Sequence, residues 1–211
     1  PQMIRWIEIL RYLITHKGQS KLSVITDIIA RKNHFWKFED WIDLETQYGV
    51  RSAFYFCGRK GSLLKYLLGI PDPFYDVCSE EFKNVINQLK EKGFEVGLHA
   101  SYNSFKSLAA LKSEIKAVEN SLGEPLQGNR HHYWHLNQDD PAQTSEIHEK
   151  AGLFYDSSIC YEQRAGFRYG IASPFHLFHK NKKQVSNCLQ LPTAFMDDHM
   201  SVSYTHLRAH E

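Results

Sequence analysis

Gly93-Phe94-Glu95-Val96-Gly97-Leu98-His99-Ala100-Ser101-Tyr102 is the stretch on which the fold turns. An apolar run too short for a helix follows a glycine stop and gives way to chemically capable polar residues, as a buried strand does where it leaves a sheet. On its N-terminal side, Ser79 with Glu80 and Glu81 marks a helix start, and Phe82, Val85, Ile86 and Leu89 keep one apolar face until Gly93. Before that helix, a loop holding Pro71 and Pro73 follows an aromatic run at 52–57 that ends at Gly58 and predicts another strand. Further upstream, Phe38, Trp41, Ile42 and Tyr48 form a helix face ending at Gly49, and Met3, Ile7, Leu10 and Ile14 form a buried helical stripe.

The order repeats downstream. Ser104 opens a helix with Leu108, Leu111, Ile115, Val118 and Leu122 on one face and Gly123 at its end; a strand is predicted at 126–130. Asp140 before Pro141 caps a helix carrying Ile147 and Ala151 and ending at Gly152, followed by strands at 153–159 and 189–196. Strand-helix alternation with short connections predicts an α/β fold, a parallel sheet with helices outside it, and a barrel is preferred to an open sheet.

Composition narrows the partners. With 25 Lys and Arg against 24 Asp and Glu, and no basic stripe, the chain is not expected to bind nucleic acid. No apolar run is long enough for an integral membrane segment, since the most lipid-like stretch is cut by Arg5, Glu8 and Arg11. The four cysteines, Cys57, Cys78, Cys160 and Cys188, form neither a zinc-knuckle spacing nor a disulfide framework and fit a reducing compartment. Composition and pattern leave oligomeric state open. The run from Val202 to Glu211 has no apolar period and resembles translated sequencing adapter, so 1–200 is expected to form one partial barrel domain and 201–211 a non-native tail. His206 and His210 are therefore not recruited as ligands.

In parallel α/β folds the carboxyl ends of the strands form the working face. Here those ends carry His99, Ser101, Tyr102 and Asn103; then Arg130, His131, His132 and Tyr133; then Asp156, Ser157 and Ser158; then Asp197, Asp198 and His199. A neutral His99 can bind a metal, Asn103 offers an oxygen, and Arg130 can fix a carboxylate or stabilise developing negative charge, with Asp156 holding it in place. Two plainer readings stay open at this level. His99 can be a hydrogen-bonded structural histidine, and Arg130 with Asp156 can be an ion pair tying two loops.

These motifs resemble those of the polysaccharide deacetylase (NodB-like) superfamily, in a divergent bacterial branch. The resemblance rests on Leu44 to Phe56, on Gly93 to Tyr102, on Gly128-Asn129-Arg130-His131-His132-Tyr133, on Gly152 to Ser158, and on Gly166-Phe167-Arg168-Tyr169-Gly170, in register over about residues 36–198. It implies an incomplete, distorted (β/α) barrel, one divalent metal ion of which zinc is the usual choice, and a carbohydrate substrate from which N- or O-acetyl groups are hydrolysed. It implies His99 as a metal ligand, Asn103 at the second histidine's position, and Arg130 and Asp156 as catalytic residues. Tyr133 would serve the oxyanion through its backbone amide, with Ser101 and Tyr102 beside the substrate. His132, standing where the family's motif has proline, is expected to supply the missing nitrogen. The Asp-x-Asp pair of the family is not found, and Thr15-His16-Lys17 does not replace it, so these 211 residues are expected to be catalytically poor. The departures motivate an alternative: an inactive deacetylase-like module that binds glycans or serves as a scaffold.

Overall fold

The computed structural model describes residues 36–195, except 63, 66, 67, 69–71, 74, 162 and 163. The stripe Met3 to Ile14, the residues Asp197, Asp198 and His199, and the tail 201–211 lie outside the described residues. The chain divides into two compact units, Pro1–Arg51 and Ser52–Glu211. In the first, helix α1 (Phe38–Gln47) buries Ile42 and half-buries Phe38, while Trp41 and, just past the helix, Tyr48 are exposed, so the expected apolar face is only partly covered.

The second unit is built on a six-stranded sheet: β1 (Ala53–Phe56), β2 (Glu95–Leu98), β3 (Gly128–Asn129), β4 (Tyr155–Asp156), β5 (Phe175–His179) and β6 (Gln184–Gln190). Its order is β1-β2-β3-β4-β6-β5; all pairs are parallel except the antiparallel β5–β6 edge, and among the described residues the sheet does not close. Helices α2 (Glu80–Glu91), α3 (Leu108–Leu122) and α4 (Pro141–Ala151) pack on one face, so the predicted strand-helix alternation is present as an open arc of a distorted barrel.

The helices follow from their sequences. Phe82, Val85, Ile86 and Leu89 of α2 and Leu111, Ile115, Val118 and Leu122 of α3 are buried, each fully covered apolar side chain contributing about 1.5–3 kcal/mol. The cap of α3 is Ser107, whose hydroxyl accepts from the Ala110 amide; Ser104 instead begins a separate 3-10 turn (Ser104–Lys106). Asp140 caps α4 through the Ala142 amide, with Pro141 in the first turn and Gly152 left-handed at the end. The inward face of α4 differs from expectation: it buries Ala142, Thr144, Ser145 and His148. At the end of β1, a Cβ on Gly58 would stand 2.1 Å from the Glu114 carbonyl oxygen, so only glycine lets this strand end meet the backbone of α3.

Strand register decides where polar residues point. Phe56, Leu98, Asn129, Asp156 and Gln190 are successive partners across five strands and form one row. Phe56 meets Phe82 of α2 in an edge-to-face contact, so this row faces the helices. Side chains alternate along a strand, which turns the flanking rows to the inner face: Tyr55, Gly97, Gly128 and Tyr155 before it, and His99, Arg130 and Ser157 after it. The Tyr155 ring covers Gly128, where a Cβ would stand 2.0 Å from that ring.

Candidate functional site

The backbone brings three strand ends together. His99 donates its amide to Phe56 (2.8 Å), Arg130 to Leu98 (2.8 Å) and Ser157 to Asn129 (2.9 Å), extending the ladder one residue past each strand. Beyond it, the Ala100 amide donates to the Arg130 carbonyl and the His132 amide to the Ala100 carbonyl. His99, Arg130 and His132 thereby share one rim of the inner face.

The His99 ring lies with Nδ1 2.7 Å from the Arg130 carbonyl. A carbonyl only accepts, so Nδ1 carries the hydrogen and Nε2 keeps its lone pair. Burial, reinforced by the neighbouring His132 and opposed by that carbonyl, pushes the His99 pKa down to about 4, so the ring is neutral and fit to bind a metal at neutral pH. The His132 ring stands edge-on to it with centroids 5.1 Å apart. Its Nδ1 is buried without a hydrogen-bond partner and lies 3.8 Å from the Asp72 carboxylate.

Arg130 donates from Nε to Ser157 Oγ (3.0 Å) and lays its guanidinium 4.8 Å over the Tyr55 ring. The row continues inward as a hydroxyl chain, with Ser157 Oγ on Tyr55 (3.2 Å), Tyr55 on Tyr155 (3.1 Å) and Tyr155 donating to Glu95 (2.6 Å). The terminal guanidinium nitrogens take no acceptor among the described residues, which leaves them for an anionic group.

Two expected assignments are corrected. Asp156 does not hold Arg130: it lies on the opposite face, accepting from Asn129 Nδ2 (2.8 Å), Ser158 Oγ (2.7 Å) and the Ser158 amide (3.0 Å). Ser157 takes its place beside the guanidinium. Ser101 does not face a substrate; it is 1% exposed and donates its hydroxyl (2.5 Å) and amide (2.8 Å) to Glu114 of α3, anchoring the loop. Asn103 stands directly before the 3-10 turn and makes no side-chain cap bond to it.

Tyr102 and Tyr133 sit at the rim. Tyr102 stacks on His135 with centroids 4.1 Å apart and meets the Tyr133 ring edge-on at 6.1 Å. Tyr133 is 56% exposed and, like Trp134 after it, adopts a left-handed backbone, φ 56° and 49°. Side chains seldom tolerate this conformation, and such strain gathers at functional sites. Its amide donates to no acceptor among the described residues, as an oxyanion donor requires. Thiol chemistry finds no support here, because burial raises the Cys57 pKa to about 12 and also raises those of Cys160 and Cys188.

Asp72 is the residue that the sequence pattern did not single out. It is 3% exposed, in the loop after β1, and accepts from the Tyr102 amide at 3.1 Å. Burial pushes its carboxyl up, but His132, the Tyr102 amide and the charge of Arg59 outweigh burial and hold it below its ordinary range. Its position after a strand end, between two prolines, was the available signal.

Among the described residues, no group of three or more histidine, cysteine, aspartate or glutamate side chains converges as a metal cage. The donor set nonetheless suits a metal as far as it goes: two imidazoles, one with Nε2 held as a lone-pair nitrogen, with a buried carboxylate behind the other. Nor is any helix among these residues long and apolar enough to cross a membrane.

No family model matches the chain, and no curated protein does. Among solved structures, it is similar to a protein from Mycobacterium smegmatis described as a polysaccharide deacetylase, with 16% identity and a TM-score of 0.50 over 76% of this chain and 46% of that one. It also matches the Xyl-CE4 domain of a multidomain xylanase from the hindgut metagenome of Trinervitermes trinervoides, with 13% identity and a TM-score of 0.36 over 56% of this chain and 64% of that one. The chain thus spans less than two thirds of either structure. The parallel arc, its polar strand ends and the first of these likenesses together establish that the chain carries the NodB-like polysaccharide deacetylase fold, as an unclosed form of that distorted barrel.

Proposed function

We propose that the protein is a hydrolase of the polysaccharide deacetylase type, removing N- or O-acetyl groups from a polysaccharide or glycan precursor. The observation that carries this proposal is the convergence of His99, His132 and the free end of Arg130 on one rim of the inner face. His99 and His132 would hold one divalent ion, zinc by the preference of imidazole nitrogen. When bound, such an ion supplies Lewis acidity toward the acyl oxygen and lowers the pKa of water.

The chain's own residues have separable tasks. The His99 Nδ1 bond to the Arg130 carbonyl fixes the ring so that Nε2 faces the site. The Arg130 guanidinium, held by Ser157 and Tyr55, would orient a carboxylate or the developing oxyanion. The Tyr133 amide would donate a further hydrogen bond to that oxyanion, and the exposed ring of Tyr133, with the half-buried Tyr102 beside it, offers apolar area to a sugar face. The complete reading frame tests this: acetate release from an acetylated glycan, abolished by a chelator and restored by zinc, is the expected result. A zinc-bound protein that releases no acetate from N- or O-acetylated glycans would overturn it.

The lack of a three-ligand group among the described residues favours a second reading, an inactive module that binds glycans. Glycan binding of equal strength with and without chelator, in the absence of turnover, would select it.

A further inference from the structure

The two rim histidines come from different strand ends, yet each turns Nδ1 into the protein. For His99 the partner is a carbonyl. For His132 the neighbour is a carboxylate rather than a bonded partner: the buried Nδ1 makes no hydrogen bond, and Asp72 Oδ1 lies 3.8 Å away. That separation is longer than a hydrogen bond, so the pair must shorten to make one.

Asp72 and Pro73 are in backbone contact with the segment at Gly61. The Gly61 amide donates to the Pro73 carbonyl at 2.7 Å, and a Cβ on Gly61 would stand 2.3 Å from the Asp72 carbonyl oxygen. The Tyr75 hydroxyl accepts from the Cys57 amide (2.6 Å), tying the same loop to the end of β1. The carboxylate is thus fixed at the rim, with the Tyr102 amide on Oδ1 and His132 before it. A buried ionised carboxylate has several acceptor sites and one backbone donor leaves most unfilled, whereas a neutral imidazole has one N–H to give.

We propose that Asp72 is the positioning residue of His132: its carboxylate takes the Nδ1 hydrogen and leaves Nε2, like that of His99, as a lone-pair nitrogen directed at the same site. The inference rests on the metal-hydrolase reading above. It adds a carboxylate that sets the tautomer and basicity of one ligand, as outer partners of metal-bound histidines do. Asp72 touches neither ion nor substrate in this role.

The test has two arms. In the 211-residue chain without metal, long-range nitrogen-proton NMR correlations of the imidazoles should show His132 as the Nδ1–H tautomer, and Asp72→Asn should shift that population. A wild-type His132 carrying its hydrogen on Nε2 overturns the inference without any variant. In zinc titrations, Asp72→Asn should weaken affinity about 10–100-fold, with Asp72→Glu recovering part of the loss and both variants keeping the wild-type circular dichroism. Zinc affinity within twofold of wild type in folded Asp72→Asn also overturns it. A wild type that binds no zinc sinks the metal reading, and the tautomer arm then decides on Asp72 by itself.

Discussion

The two faces of the sheet carry neighbouring residues to opposite fates. On the inner face, His99 and Arg130 are half-buried with Ser157 buried beside them, and the His99 Nε2 and the terminal guanidinium nitrogens of Arg130 have no partner among the described residues. On the outer face, one residue away along each strand, Asn129, Asp156 and Gln190 are sealed beneath α4 with His131, His148, Ser158 and Ser145. There Asp156 receives three bonds, the His131 and His148 Nε2 atoms lie 2.9 Å apart, and Ser145 meets Ser186 at 2.6 Å, while Asn129 Oδ1 and the His131 and His148 Nδ1 atoms are sealed in without a partner among the described residues. The difference teaches that a motif contiguous in sequence is divided by the strand period into a part that organises the fold and a part left available for chemistry. Arg130 and His131 are adjacent in the chain but belong to different halves of that division.

Substitutions should separate the halves. The largest effect is expected for Asp156→Ala, which strands the buried donors of Asn129 and Ser158: a loss of about 3 kcal/mol or more in denaturant-measured stability. A loss below about 1 kcal/mol would deny the outer network its structural role. Arg130→Ala should do the reverse in the complete reading frame, lowering turnover about 100-fold while costing under about 1 kcal/mol of stability and leaving metal content intact.

Acid should act through the outer face as well. Burial holds the His148 pKa below its ordinary 6.5, an effect opposed by Asp156 and Glu149. Below that value the unfolded chain binds a proton that the folded chain refuses, so this contribution to stability is full above pH 6.5 and declines as pH falls through the unfolded-state pKa. Denaturation midpoints should therefore drop between about pH 7 and about pH 5, and a flat profile would contradict the assignment. The smallest effect belongs to Tyr133→Phe. If the backbone amide serves the oxyanion, loss of the phenol should leave turnover within about twofold; a large fall would assign the hydroxyl a role.

Much of this arrangement was legible in the sequence, and the failures have physical causes. The apolar run of β2, the α2 and α3 faces and the Asp140-Pro141 and Gly152 boundaries of α4 were readable because local chemistry alone determines them. The face of Asp156 was not, because β3 and β4 are two residues long and give no alternation from which to count. The last strand runs Gln184–Gln190 rather than from 189 onward, and β5 was missed. Ser186 and Asn187 look like loop residues until Ser145 and Glu149 of α4 supply their partners, and the β5–β6 register shifts between His176 and Phe178. At the site, His99, Arg130 and His132 could be singled out because they follow strand ends, whereas Asp72 acquires its place from a contact with Tyr102, 30 residues away.

The most direct test of this division is a zinc isotherm measured side by side for the wild type, His132→Ala and His148→Ala. Loss of affinity by at least about tenfold in His132→Ala, with folded His148→Ala still binding as the wild type does, is the result expected if the inner face holds the site. Equal binding in all three, or a loss confined to His148→Ala, would contradict it.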